Sequence, residues 1–389
     1  MNNWPETQLR RIATCRDDLR EPVNAEQRAS MQGEIPYWGA NSIQDYVNQA
    51  KVNQSVVLIG EDGAPFFDRS KQVAFYIDGP IWPNNHIHVL FPDAATDGRW
   101  LTYALNSVDY SGVISGSTRD KLTQADMLSI RLLLPTNEEQ RRIADYLDRE
   151  TAEIDAFIAD QERLIELLNE RRAAVLDDSF DPAWPTIPLC RCLNQIEQGW
   201  SPAAGGDREE GQWAVVSLSC INRGVFDSQA VKVIHDVDEA LCLPITLHNG
   251  DLLMTRSNTR DRVGDVAIVR QVDDRTIFSD LIYRITPNGS LNREFLAYFL
   301  LSPIARRVIQ ADARGSSNTM PKINQELIKR WLVPIPDVSV QLETVEKLDQ
   351  ALDEIDTAIA DTREAIALSR ERRSALITAA VTGQIEVPS

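Results

Sequence analysis

The strongest constraint on this chain is a stretch that occurs twice. From Glu138 to Asp177 there is neither proline nor glycine, so nothing interrupts about eleven turns of α-helix. Leu147, Thr151, Ile154, Ile158, Gln161, Ile165, Leu168, Arg172 and Val175 recur at alternating steps of four and three, the seam of a helix that pairs with another. Adding 201 to each number moves the pattern, without a gap, onto Leu348, Leu352, Ile355, Ile359, Thr362, Ile366, Ser369, Arg373 and Leu376. Outward residues repeat as well: Glu153-Ile154-Asp155 returns as Glu354-Ile355-Asp356, and Glu170-Arg171-Arg172 as Glu371-Arg372-Arg373. Helix-pairing bias copies a seam but has no reason to copy the exposed face, so the repeat is a tandem duplication. Leu147, Ile154, Ile158 and Ile165, with Leu348, Ile355, Ile359 and Ile366, are the expected helix-pairing residues. Ile154, Ile158, Ile355 and Ile359 are expected to pack against one another.

The duplication divides the 389 residues into a globular part and a long helix, twice: 1–135 and 136–180, then 181–336 and 337–389. Both globular parts open alike, with Trp4-Pro5 and Trp184-Pro185, at an offset of 180. Since the offset grows to 201, the second part holds 21 extra residues, which are expected in loops, where insertions cost little. The net charge of −18 argues against nucleic acid only until it is apportioned. Residues 136–180 carry 6 basic and 13 acidic side chains and residues 337–389 carry 5 and 11, so 13 of the 18 negative charges belong to the helical segments. The globular parts are close to neutral and able to gather cations on one face. Five cysteines without a C-x-x-C pair suit reduced, packed thiols. Without an apolar leader or a run long enough to cross a bilayer, the expectation is a soluble cytoplasmic protein with no membrane contact.

Within the first globular part, Ser55–Ile59, Val73–Ile77 and His86–Phe91 read as strands. In the second, Asp251–Thr255, Val266–Val269 and Leu281–Ile285 do so, followed by a helix from Arg293 to about Gln310 with Phe295, Phe299 and Ile304 facing inward. The sheets are expected to be mixed or antiparallel. Each part closes on related residues, Gly116-Ser117 with Lys121 and Gln124, and Gly315-Ser316 with Lys322 and Gln325. Leu134-Pro135 or Ile335-Pro336 then leads into the long helix.

The Gly-Ser/Lys-x-x-Gln loop, the exit through proline, the Glu-Gln-Arg-Arg-Ile helix start and the duplicated Glu-Ile-Asp and Glu-Arg-Arg blocks resemble the specificity subunit of type I restriction-modification systems. Tyr37-Trp38-Gly39-Ala40-Asn41, Gly60–Pro65 and Asn84–Val89 are similar to one version of that family's recognition domain. The resemblance implies an α+β protein with an internal duplication and pseudo-twofold symmetry. Two target-recognition domains would be separated by two antiparallel helices forming a coiled-coil spacer. It also implies double-stranded DNA as ligand, each domain reading half of a split, asymmetric site. Partners would be two adenine methyltransferase (modification) subunits and motor-nuclease (restriction) subunits. No cofactor would bind this chain; S-adenosylmethionine, ATP and Mg would belong to the partner subunits.

The sequence carries none of the usual catalytic signatures of nucleases, adenine methyltransferases or nucleotide-binding enzymes. None of the seven lysines lies in Asp-x-Lys or Glu-x-Lys, and there is no Asn-Pro-Pro-Tyr, Walker A loop or Gly-x-Gly-x-x-Gly. His86 and His88 share a strand face without a Cys, Asp or Glu in the motif, which suits a structural pair better than a metal site. The candidate DNA contacts are Arg256, Asn258, Arg260 and Arg262, crowded into one loop, and Arg119, Lys121, Arg314, Asn318 and Lys322 in the repeated loop before each helix. These residue types pair with guanine, adenine or phosphate. The bland readings are a solvated hairpin and a helix-entry turn. A coiled-coil scaffold whose heads bind proteins remains the alternative function.

Overall fold

The computed structural model describes residues 4–114, 120–313 and 320–388. They form two compact units, Met1–Arg163 with Thr362–Ser389, and Leu164–Asp361. Both divisions fall inside long helices, Asn137–Asp178 and Val338–Val381.

In the first unit the described strands are β1 (Glu6–Gln8), β2 (Ala13–Cys15), β3 (Gln32–Trp38), β4 (Ile43–Val47), β5 (Val56–Gly60), β6 (Ala74–Ile77), β7 (Trp82–Pro83), β8 (Ile87–Pro92) and β9 (Arg131–Leu133). An antiparallel sheet runs β2-β8-β5-β6, a smaller one β4-β3-β7 with β3 and β7 parallel, and β1 pairs with β9. The fully buried run of β5 shows why it lacks alternation. Val57 and Ile59 join Trp100 and Leu101 of the helix Gly98–Asn106 on one face, while Val56 and Leu58 join Ile81 and Val89 on the other.

The second unit repeats this plan with β10 (Thr186–Pro188), β11 (Leu193–Gln198), β12 (Ala214–Val216), β13 (Ile221–Asn222), β14 (Val225–Phe226), β15 (Val231–Val233), β16 (Leu252–Thr255), β17 (Val266–Ile268), β18 (Thr276–Phe278), β19 (Ile282–Pro287) and β20 (Leu332–Pro334). Its sheets run β11-β19-β16-β17 and β15-β12-β18, with β12 and β18 parallel, and β10 pairs with β20. The hairpin β13–β14 lies between β12 and β15, where the first unit has only the short link from Trp38 to Ile43. Its turn needs Arg223 and Gly224 at positive φ.

One expectation fails here. The helix starting at Arg293 stops at Leu301, and a second runs Pro303–Asp312. Pro303 has no N–H to continue the first helix, and Ser302 caps the second. The break shifts the phase, so Phe295 and Phe299 are buried but Ile304 is exposed and Ala305 and Ile309 turn inward.

The long helices pair antiparallel inside each unit. In the first, Arg373 meets Asp155 at 2.8 Å and Arg370 meets Glu162 at 2.9 Å; in the second, Arg172 meets Asp356. Leu147, Ile154, Ile158, Leu348, Ile355, Ile359 and Ile366 are buried and Ile165 is half-buried. This register sets Ile154 and Ile158 beside the C-terminal part of the second helix, and Ile355 and Ile359 beside that of the first. Mutual packing of these four isoleucines is therefore corrected: antiparallel pairing brings equivalent residues of a duplication together only at its midpoint.

A buried glutamine welds each head to its helix. Gln140 Oε1 accepts from the Asp97 amide at 2.8 Å, and its Nε2 donates to the Pro135 carbonyl at 3.0 Å. Gln341, its equivalent at +201, accepts from the Asn292 amide at 2.7 Å and donates to the Pro336 and Ser290 carbonyls at 2.8 and 3.0 Å. Asp97 and Asn292 are themselves the N-caps of the helices Gly98–Asn106 and Arg293–Leu301.

Candidate nucleic-acid interface

In each unit the loop after the central strand is stitched to the lysine-bearing segment that precedes the long helix. Asp62, following β5, bridges to Lys121, and the Leu122 amide donates to the Glu61 carbonyl at 2.7 Å. Ser257, following β16, bridges to Lys322, and the Ile323 amide donates to the Arg256 carbonyl at 3.0 Å. The strand registers make Glu61 and Arg256 equivalent, and likewise His88 and Tyr283, both at an offset of 195. Each of the latter pair reaches the same carbonyl: His88 Nε2 donates to Leu122 O at 2.9 Å, and the Tyr283 hydroxyl to Ile323 O at 3.5 Å. The backbone frame is thus common to the two heads, and the side chains upon it differ in charge.

In the first head Lys121 meets Glu61 at 3.0 Å, and Arg20 meets both Glu61 and Asp17. Burial alone would raise the Glu61 pKa, but its bonds to Lys121 and Arg20 outweigh this and hold it below the usual range. His88 is 1% exposed and gives its Nδ1 to Asp17 at 2.7 Å. Burial opposes its charge, yet the bonds to Asp17, Cys15 and the Leu122 carbonyl win and raise it to about 9. Cys15, Asp17 and His88 bring donor atoms within 4.8 Å of one another, the arrangement closest to a metal site among the described residues. An ion there would have to displace the His88–Asp17 bond. His86 also has a carboxylate partner, Asp62 at 2.6 Å.

In the second head neither Arg256 nor Lys322 has a carboxylate within ion-pairing distance among the described residues. Lys322 is exposed; Arg256 is half-buried, donating Nη1 to the Asp280 carbonyl at 3.3 Å, touching the Tyr283 hydroxyl and leaving its buried Nε without a partner among the described residues. Of the other loop candidates, Asn258 accepts from the adjacent Thr259 amide at 2.8 Å. Arg262 braces the loop against the inserted hairpin, donating to Ile221 O at 2.8 Å and Asn222 Oδ1 at 2.9 Å. Arg260 is exposed and its side chain makes no bond among the described residues. Arg119, Arg314 and Asn318 lie outside the described residues. Sequence reasoning took His88 as a hydrogen-bonded structural residue, as it is, and missed Glu61, Arg20 and Tyr283; the 195 offset across the middle of each head is the signal that pairs Glu61 with Arg256 and His88 with Tyr283.

The family model for the type I restriction modification DNA specificity domain matches residues 3–167 and again 219–365, one copy in each half. The chain belongs to this family. A putative type I restriction enzyme specificity subunit of Haemophilus influenzae is 36% identical over 145 residues, covering 37% of this chain and 36% of that relative. The EcoKI specificity subunit of Escherichia coli is 23% identical over 293 residues, 71% of this chain and 62% of the relative. The matched stretches thus span less than two thirds of either relative. A chain from a solved structure of type I R-M complex assembly and conformational transition superposes with a TM-score of 0.69, at 15% identity and 98% coverage of both chains, which establishes the shared fold. The mixed helix-and-strand fold and the internal duplication agree with the fold class that the resemblance implied. No described helix is long and apolar enough to cross a membrane.

Proposed function

We propose that this chain is the DNA-reading, non-catalytic subunit of a type I restriction-modification complex, each head reading one half of a split, asymmetric site. The observation that carries the reading is a backbone frame shared by the two heads but bearing different charges. The two heads share strand plan, Lys bridge and glutamine weld, yet differ at Glu61/Arg256 and His88/Tyr283, beside the loops that base readout would use. A scaffold has no need to vary charge on a preserved frame.

The contacts are proposed at Lys121, Lys322 and Arg256 for phosphate and at Arg260 for base edges, with Arg262 and Asn258 supporting the loop. Two methyltransferase subunits would dock on the helical segments, and motor-nuclease subunits would join for restriction. S-adenosylmethionine, ATP and Mg would bind on those partners. The 42-residue first helix, about 63 Å long at 1.5 Å per residue, is long enough to serve as a spacer between half-sites. Titration of duplex DNA with the chain and its methyltransferase partner across a salt series tests the reading. A steep salt dependence with preference for one site is expected. A protein-binding scaffold would show neither.

A further inference from the structure

The position shared by Glu61 and Arg256 changes the sign of charge at one point of a common frame. In the first head the residue is a carboxylate, 14% exposed, held between Lys121 and Arg20. Around it, Arg20, His88 and Lys121 face Asp17 and Glu61, so most of the positive charge is answered internally. In the second head the residue is a guanidinium on the strand of backbone that bridges to Lys322. Tyr283 replaces the histidine, and no carboxylate among the described residues pairs with either cation. The Arg256 guanidinium touches the Tyr283 hydroxyl and keeps a buried Nε without a partner among the described residues, a hydrogen-bond donor left over for an incoming acceptor.

We propose that the residue at this position sets how strongly each head grips the nucleic-acid backbone. Arg256 with Lys322 forms a phosphate clamp in the second head, and Glu61 damps the corresponding lysine in the first. This rests on the DNA-reading function. The exposed Lys121 is free to swing, since an ion pair with one exposed partner is worth little. Glu61 cannot follow it: the carboxylate is mostly enclosed, and its negative charge stays beneath any phosphate that Lys121 reaches. The second head therefore carries the larger share of the electrostatic affinity, and the first depends more on the fit of its loops.

The test uses the full chain and a fluorescent random-sequence 30-base-pair duplex, titrated from low to high potassium chloride. Each phosphate contact contributes about 0.9 to the slope of log affinity against log salt. Arg256→Ala and Lys322→Ala should each make the slope shallower by about that amount, and Arg256→Lys should restore most of it. Glu61→Gln should do the opposite and steepen the slope, because Lys121 and Arg20 lose their carboxylate. Since Lys322 is exposed, its variant tests the clamp even if a change at Arg256 disturbs folding. Wild-type slopes in Lys322→Ala, or no steepening in Glu61→Gln, overturn the clamp while leaving DNA reading intact. A wild-type chain with no salt-dependent binding at all overturns the DNA-reading function itself.

Discussion

Arg373 gives both Nε and Nη2 to the carboxylate of Asp155, at 2.8 and 3.1 Å. Subtracting 201 from the arginine and adding it to the aspartate yields Arg172 and Asp356, which form the same pair in the other unit. The duplication therefore preserved an interaction and not merely a seam. Asp155 and its copy Asp356 are thus each held by a seam arginine of the opposite helix. Since Asp155 is about half exposed, the energy is modest. Asp155→Ala and Arg373→Ala should each lower stability by about 0.5–1 kcal/mol, with a double variant little worse than either single one. Denaturant midpoints of the four proteins measure this; fully additive losses would show that the two side chains do not interact.

The buried glutamines should matter more. Gln140 is 1% exposed and Gln341 fully buried, and each joins the helix start to the cap of a head helix. Removing either amide leaves a buried backbone N–H and carbonyl unsatisfied, at a cost of about 1–3 kcal/mol. Gln140→Ala and Gln341→Ala should destabilise in urea to this extent, whereas Gln124→Ala, an exposed helix residue, should stay within about 0.5 kcal/mol. Equal effects at buried and exposed positions would contradict the weld.

His88 makes the first unit sensitive to alkali. Its pKa lies near 9 in the folded chain against 6.5 for the free side chain. Below 6.5 both states are protonated and the full stabilisation is present. As pH rises from 6.5 the unfolded chain loses its proton first, and the contribution, at most about 3 kcal/mol, is gone once pH passes 9. Asp17 works in the other direction: burial opposes its charge but the His88 bond lowers its pKa, so its contribution fades only in strong acid. His88→Tyr, which installs the residue found at the equivalent place in the second head, should flatten the urea midpoint between pH 6.5 and 9.5. An unchanged decline in that variant would assign the alkaline loss to another group.

What the sequence revealed follows the range of the interactions. The long helices were legible because their period and their 201-residue repeat are local to the string, and β5 and β16 because continuous apolar runs mark strands covered on both faces. The helix beginning at Arg293 was misread where Pro303 resets the phase and leaves Ile304 outside. Arg262 carried the right chemistry for DNA but spends it on the inserted hairpin, a partner about forty residues away that no spacing rule announces. His88 finds its partner Asp17 71 residues earlier. Such pairings are set by the sheet register, and only an alignment of one head on the other brings them into view.

The most direct measurement is a map of methylated adenines in a host that carries this chain with its methyltransferase partner, compared with the same host carrying Arg260→Ala. Arg260 is exposed and its side chain makes no bond among the described residues, so its loss should leave folding intact. The account predicts a split methylated motif with wild-type protein. In the variant one half of that motif should relax at a base or two, with a loss of about 1–3 kcal/mol in discrimination, while the other half stays as it was. No methylated motif dependent on this chain, or equal relaxation of both halves, would contradict the claim that each head reads its own half-site.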